Sequence, residues 1–110
     1  MSVYYDYDTG RPNAVLAMTR RRISAFTRLG SVRKFKIGIT NNPERRWRES
    51  YARAYDEMLV VYASSSIDCV SQLEFELVNH NWGYSDNLVA GGGGGIGSIG
   101  PFYLYVVVRY

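Results

Sequence analysis

Alternation of apolar and other side chains predicts four strands along the chain. In the segment FKIGIT, every second side chain from Phe35 onwards is apolar, while Lys36 and Gly38 point the other way. This period of two is typical of a half-buried strand. Residues 3–7 and the apolar run MLVVYA at 58–63 are expected to form two more strands.

The fourth predicted strand is FYLYVVV, residues 102–108, which is rich in aromatic and β-branched residues. Its alternation divides the side chains into two faces. One face has Tyr103, Tyr105 and Val107, and the other has Phe102, Leu104, Val106 and Val108. The apolar face is expected to pack under helices.

Three helices are predicted between these strands. The first begins at residue 12 or 13 and runs to about residue 29, where Gly30 ends it. Asn42 can cap a second helix and Pro43 suits its first position, so that helix follows FKIGIT directly. The third runs over about 67–79.

Helical spacing predicts which side chains face the core. The expected core positions are Val15, Leu16, Met18, Ile23, Phe26 and Leu29 on the first helix, Trp47, Tyr51, Ala54 and Tyr55 on the second, and Val70, Leu73, Leu77 and Val78 on the third. Glu74 flanks the third stripe, because Leu77 and Val78 lie three and four residues further on. Glu76 lies about 200° away from Glu74 around the helix, so it is expected in solvent.

The succession of strands and helices predicts one small α/β domain, of the α+β type, over residues 1–110. No apolar run reaches the length of a membrane span, and the first ten residues lack the basic-then-apolar order of a signal peptide. Cys69 is the only cysteine, so an internal disulfide is excluded. A cytoplasmic location is expected, in a cell or in the host of a virus.

Basic residues are concentrated in the first half of the chain. Between Arg11 and Arg53 lie twelve of the thirteen lysines and arginines and only two carboxylates, a formal charge of +10. The remainder of the chain has a formal charge of −7. Such segregation indicates a polyanionic partner. The alternative is a solvated basic face that only favours solubility.

The segment KIGITNNPERRW, followed some 25 residues later by QLEFELV and then by an asparagine before a glycine-rich loop, resembles the GIY-YIG endonuclease family. Members of that family have a strand with a GIY-like tripeptide and a second strand with YIG. A helix with an arginine follows, then a helix with a glutamate, and often a later asparagine. The resemblance covers about residues 35–95.

The resemblance assigns roles to individual residues. Lys36 begins the tripeptide that stands in place of YIG, and Arg46 matches the helix arginine. Ser50 falls where many members have a histidine. Glu74 matches the metal-binding glutamate, and Asn87 is the candidate for the later asparagine.

The resemblance also implies a fold and an activity. The fold is a small central antiparallel sheet flanked by helices, and the activity is hydrolysis of DNA phosphodiester bonds with Mg²⁺ or Mn²⁺. Arg46 would contact the scissile phosphate, Glu74 would bind the metal, and Lys36 would add positive charge. The remaining candidates for DNA contacts are Arg20, Arg21, Arg45, Arg48, Arg53 and Asn87.

The GIY strand itself has two candidates. Ser2-Val3-Tyr4 would supply Tyr4 as the tyrosine that helps to activate water. Tyr103-Leu104-Tyr105 matches a common variant of the motif better and would supply Tyr105. The second assignment is favoured, and it makes the chain a circular permutation in which the first strand has moved to the end.

Three functions remain open from the sequence. The first is a metal-dependent endonuclease. The second is a nucleic-acid-binding module on the same fold without catalysis, which Lys36 and Ser50 support because both depart from the family pattern. The third is a small viral interaction protein whose arginines bind an acidic protein.

Overall fold

A computed structural model describes residues 2–27, 32–78 and 100–110 of the chain. Within these ranges the elements are β1 (Val3–Asp8), α1 (Pro12–Thr27), β2 (Lys34–Thr40), α2 (Pro43–Arg46), a π-helical segment (Trp47–Tyr51), β3 (Glu57–Ser64), α3 (Ile67–Val78) and β4 (Phe102–Arg109). Every predicted strand is present, with boundaries within one residue of those expected, and the first and third helices begin where expected. The second helix also begins after Asn42, but it is α-helical only to Arg46 and ends as a π-helical segment at Tyr51, short of the predicted position Tyr55. Leu29 and Gly30, at the predicted end of the first helix, lie outside the described residues.

The strands form one sheet in the order β1-β3-β4-β2. β4 pairs antiparallel with both β2 and β3, and β1 pairs parallel with β3. The mixed α/β fold class is therefore confirmed. The antiparallel arrangement holds for two of the three strand pairs, and β1 adds the parallel pair across a connection that contains α1 and β2.

Helices cover both faces of the sheet. On one face, α1 and α3 pack Val15, Ile23, Leu73 and their neighbours against the alternating residues of β2 and β4, such as Ile37 and Val106. We call this the α1–α3 face. On the other face, which we call the α2 face, the buried residues are Val3, Tyr51, Tyr55, Met58, Val60, Tyr105 and Val107, with Trp47 and Tyr103 packed beside them. The predicted division of β4 into two faces is confirmed.

Two positions expected in the core are exposed. Ala54 lies in a turn after the π-helical segment, and the wider π turn followed by the chain reversal removes it from the line of Trp47 and Tyr51. Met18 is also exposed. On α1 the buried position next to it is Thr19, so the buried stripe of that helix contains Val15, Thr19 and Ile23.

No helix among the described residues combines the length and the apolar character that crossing a membrane requires.

Candidate active site

The site is built around the contact between Tyr105 and Gly38. The antiparallel register of β2 and β4 places Gly38 directly opposite Tyr105, and the tyrosine ring lies over the glycine. A Cβ atom added to Gly38 would stand 2.3 Å from the Tyr105 hydroxyl oxygen and 2.5 Å from Cζ. Only glycine therefore leaves room for this ring at the centre of the α2 face.

The hydroxyl of Tyr105 is buried and hydrogen-bonded. It lies 2.6 Å from the hydroxyl of Tyr51, and either group can donate. Arg46 donates a further hydrogen bond to it. Burial, and then Tyr51, raise the pKa of Tyr105 far above its ordinary value, while the positive charge of Arg46 opposes the shift. Tyr105 is therefore a neutral phenol at physiological pH.

Arg46 owes its position to the turn between β2 and α2. The side chain of Asn42 accepts a hydrogen bond of 3.1 Å from the Arg45 amide, which makes it the N-cap. Pro43 occupies the first helical position, and the Arg46 amide donates to the Asn42 carbonyl at 3.0 Å. The cap predicted from the sequence thus directs the half-buried Arg46 toward Tyr105.

Lys36 lies on the same face of β2 as Gly38. Its ammonium nitrogen is 6.0 Å from the centre of the Tyr51 ring, within the range of a cation–π contact. Its charge also acts on the carboxyl group of Glu74. Lys36 thus lies near the Tyr51 ring and also affects the carboxyl group of Glu74 electrostatically.

Glu74 is buried, with 1% of its surface exposed, whereas Glu76 is exposed. The contrast predicted from the helical period is confirmed. Burial raises the pKa of Glu74 to about 7, and the charge of Lys36 opposes the shift. Within the described part of the chain, Glu74 Oε2 has no hydrogen-bond partner. A buried carboxylate oxygen without a hydrogen-bond partner lowers the stability of the fold unless a proton or a cation neutralises it.

The oxygen of Glu74 fits a divalent cation of the magnesium class in its chemistry. Hard oxygen ligands suit Mg²⁺, which often binds through one or two carboxylates together with substrate phosphates and waters. The described residues contain no group of three histidine, cysteine or acidic side chains that could hold a metal. Among the described residues, Glu74 is the candidate ligand.

The two tyrosine candidates of the sequence lie in different places. Tyr105 is on β4 beside β2, in contact with Arg46. Tyr4 is on β1, at the opposite edge of the sheet from β2, and its hydroxyl group interacts with Glu57, which raises its pKa. The structure therefore brings Tyr105 together with Lys36 and Arg46. Tyr105 bonds Tyr51 and Arg46 on the α2 face, whereas α3, which carries Glu74, packs on the other face of the sheet. Among the described residues no contact joins Tyr105 to Glu74.

The arginines proposed for DNA contacts divide between the two faces. Arg45, Arg48 and Arg53 are exposed beside the α2 face, and Arg45 lies 3.7 Å from Glu49 in an exposed ion pair. Arg20 and Arg21 are on α1, which covers the other face. Asn87 lies outside the described residues.

Tyr51 is the residue of the site that sequence reasoning assigned only to the core. It is buried as predicted, but its hydroxyl holds Tyr105 and its ring faces Lys36. The sequence contains an indication of this role, because the hydroxyl group of a tyrosine at a core position needs a hydrogen-bond partner, whereas phenylalanine has no such group.

No protein-family model, curated protein or solved structure matches the chain.

Proposed function

We propose that the protein is a metal-dependent endonuclease that hydrolyses DNA phosphodiester bonds, similar to the GIY-YIG family with its first strand transferred to the end of the chain. The observation on which this depends most is the contact between Arg46 and Tyr105. It unites the arginine of the helix after β2 with the tyrosine of a strand paired to β2. These are the residue types and elements that the resemblance implies.

In this proposal each charged residue has a role toward a phosphodiester. The guanidinium of Arg46 binds two phosphate oxygens and stabilises the negative charge that develops during hydrolysis. Lys36 adds a second positive charge beside it. Glu74 holds Mg²⁺ or Mn²⁺, which would supply a water of lowered pKa and further charge stabilisation.

Tyr105 takes a positioning role in this scheme. Its raised pKa keeps it protonated, and its side chain is buried. A neutral buried phenol holds Arg46 by hydrogen bonding and does not act as a general base. The lone Cys69 fits the reducing setting of a cytoplasm, which forms part of the proposal.

A plasmid assay tests the activity. Supercoiled plasmid is incubated with the protein and Mg²⁺, with and without chelator, and the relaxed and linear products are quantified. We expect wild-type cleavage that chelator abolishes. Glu74→Gln should lose it by about a hundredfold or more, because the buried carboxylate ligand is gone. Glu76→Gln, the matched control on the same helix, should cleave as wild type does.

The reverse result, with Glu76 essential and Glu74 dispensable, would contradict the proposed site. DNA binding by Glu74→Gln should match or exceed that of wild type, since one negative charge has been removed. A loss of binding in this variant would show that Glu74 supports the fold and not the reaction.

A nucleic-acid-binding module without catalysis is the second candidate. The complete burial of Tyr105 favours it, together with the lysine at position 36 and the exposed Ser50. This candidate predicts salt-dependent DNA binding by the wild type with no cleavage in either Mg²⁺ or Mn²⁺. A protein that binds no DNA would instead fit an acidic protein partner.

A further inference from the structure

Three tyrosines form an exposed aromatic surface next to the proposed site. Tyr5 and Tyr7 of β1 are 44% and 45% exposed, and Tyr103 of β4 is half-buried between them and the core. The ring centroid of Tyr103 lies 6.5 Å from that of Tyr5 and 6.4 Å from that of Tyr7, with interplanar angles of 80° and 84°. We call these three residues the tyrosine platform.

The sheet explains why these rings meet. β3 lies between β1 and β4, so the two tyrosine-bearing strands are about 10 Å apart. The residue of β3 that pairs with Tyr103 is Ala63, whose small side chain leaves the space above β3 free. The rings of Tyr5, Tyr7 and Tyr103 extend into this space.

The platform is continuous with the proposed site. Tyr103 precedes Tyr105 by two residues on the same face of β4. The Tyr5 hydroxyl donates a hydrogen bond to the carboxylate of Glu44 in α2. Glu44, Trp47 and Arg48 in turn line a groove of about 230 Å³ that begins at the start of β1.

The charge around the platform favours an anionic ligand. Along residues 34–55 of the α2 side, the charged side chains are Lys34, Lys36, Arg45, Arg46, Arg48 and Arg53 against Glu44 and Glu49. Lys34 and Lys36 contact the buried rings of Tyr55 and Tyr51 on this face, and Arg45 of α2 and Arg48 of the π-helical segment are exposed beside Glu44. Of the carboxylates next to the platform, Asp6 and Asp8 are paired with Arg22 and Glu44 accepts from Tyr5. Exposed aromatic rings together with exposed arginines are a combination with which proteins bind single-stranded nucleic acid.

We propose that the tyrosine platform stacks unpaired nucleobases, so that the substrate has a single-stranded stretch adjoining the bond to be cleaved. The inference rests on the proposed function in one respect, that the ligand is DNA. Stacking needs an open base face, which an unpaired nucleotide presents and the interior of a duplex hides. The backbone of the same strand then passes the exposed Arg45 and Arg48, which bind phosphates without reading sequence.

Equilibrium binding in chelator, where cleavage is suppressed, tests the platform. Three fluorescein-labelled DNAs are compared by anisotropy: a thymidine single strand of about 12 nucleotides, a blunt duplex, and the same duplex with a thymidine overhang. Wild type should bind the overhang about tenfold or more tightly than the blunt duplex. Tyr7→Ala should weaken overhang and single-strand binding by about fivefold to a hundredfold, with blunt-duplex binding unchanged.

Two further variants identify the cause. Tyr7→Phe keeps the ring and should bind as wild type does, because stacking requires the ring and not the hydroxyl. Tyr4→Ala is the matched control, since Tyr4 also belongs to β1, is 41% exposed and lies outside the platform. Its affinity for all three DNAs should equal that of wild type.

Several results would overturn the platform. One is that Tyr7→Ala binds the overhang as tightly as the wild type does, and another is that Tyr4→Ala loses as much affinity for the overhang as Tyr7→Ala. The others are that the wild type shows no preference for the overhang, or that it binds none of the DNAs. The proposed endonuclease is judged separately by plasmid cleavage with Mg²⁺. If the wild type cleaves plasmid but Tyr7→Ala binds the overhang as tightly as the wild type does, the platform alone is rejected. If the preference for the overhang depends on Tyr7 but no plasmid is cleaved, the nuclease alone is rejected.

Discussion

Gly38 illustrates how a single residue determines the shape of the site. The ring of Tyr105 occupies the volume where any other residue would place its Cβ atom. The ring has no direction in which to withdraw, because it is buried and its hydroxyl is bonded to Tyr51. The glycine of the KIG tripeptide is thus explained by close packing of one side chain on a strand.

Gly38→Ala should destabilise the fold by about 1–3 kcal/mol through overpacking. Denaturant unfolding of the variant measures this cost. The same substitution in a Tyr105→Leu background should lower the free energy of unfolding by less, because leucine lacks the Cζ and hydroxyl atoms that a Cβ at position 38 would meet. If Gly38→Ala lowers the free energy of unfolding equally in both backgrounds, the ring and the new methyl group do not compete for space.

Glu74 should make stability depend on pH when no divalent cation is present. Its folded-state pKa of about 7 lies above the ordinary 4.5, so its contribution is full below pH 4.5 and is lost as pH rises through 7. From pH 5 to pH 8 in chelator, wild type should lose on the order of 2 kcal/mol relative to Glu74→Gln, after allowance for solvent screening. Parallel curves of unfolding free energy against pH would contradict the burial of an ionisable Glu74.

At the scale of the element, the turn between β2 and α2 determines the position of Arg46. The Asn42 side chain caps the helix, while the backbone amide of Asn42 separately donates a hydrogen bond to Thr40 Oγ1, 3.1 Å away. The short α2 then continues as the π-helical segment. Because only four α-helical residues precede that segment, the cap fixes the direction of the whole unit.

Asn42→Ala should therefore cost about 1 kcal/mol of stability and lower plasmid cleavage about tenfold by releasing the first turn that holds Arg46. Asn42→Asp is the control, since a carboxylate oxygen can still accept from the Arg45 amide and should keep both properties near wild type. Loss of cleavage in both variants would mean that the side-chain NH2 group of Asn42, and not the cap, serves the reaction.

The pairing of β4 with β2 yields a second prediction at this scale. Tyr105→Phe removes the hydroxyl that holds Arg46 and should lower cleavage by about a hundredfold, with fold and DNA binding retained. Tyr4→Phe, on the far edge strand β1, should cleave as wild type does. Cleavage kinetics on one plasmid preparation measure both variants, and dependence on Tyr4 instead of Tyr105 would reject the permuted arrangement.

For the whole molecule, the sheet separates the basic residues into two groups. Those of α2 lie on the α2 face with Tyr105, and those of α1 lie on the opposite face, which α3 with Glu74 also covers. Part of the α1 charge is neutralised, because Arg22 forms ion pairs with Asp6 and Asp8 of β1. The single basic stretch of the sequence therefore does not form a single basic surface.

Arg48→Ala and Arg21→Ala test which face binds DNA, since both arginines are exposed. Arg48→Ala should lower the slope of log K against log salt for duplex binding by about 0.9, the value for one lost phosphate contact. Arg21→Ala should leave the slope nearly unchanged. Equal losses in the two variants would require DNA to contact both sides of the sheet.

Much of the fold and part of the site could be predicted because they depend on local periodicity. The alternation in β2 and β4, the Asn42 cap and the contrast between Glu74 and Glu76 all follow from the geometry of one strand or one helix. Ala54 was placed wrongly because the helix was assumed to keep its α-helical phase through the π-helical segment. Tyr5 and Tyr103 meet across β3, which no pattern within β1 or β4 indicates.

The sequence by itself thus determined the elements and the faces of the strands, since these depend on spacing along the chain. Only the tertiary structure decided that β1 joins β3 in parallel, that Arg46 meets Tyr105 and Tyr51, and that α1 directs its arginines away from them. The physical reason is that these contacts link distant segments, and the order in which strands pair, together with the side of the sheet each helix covers, sets which residues become neighbours.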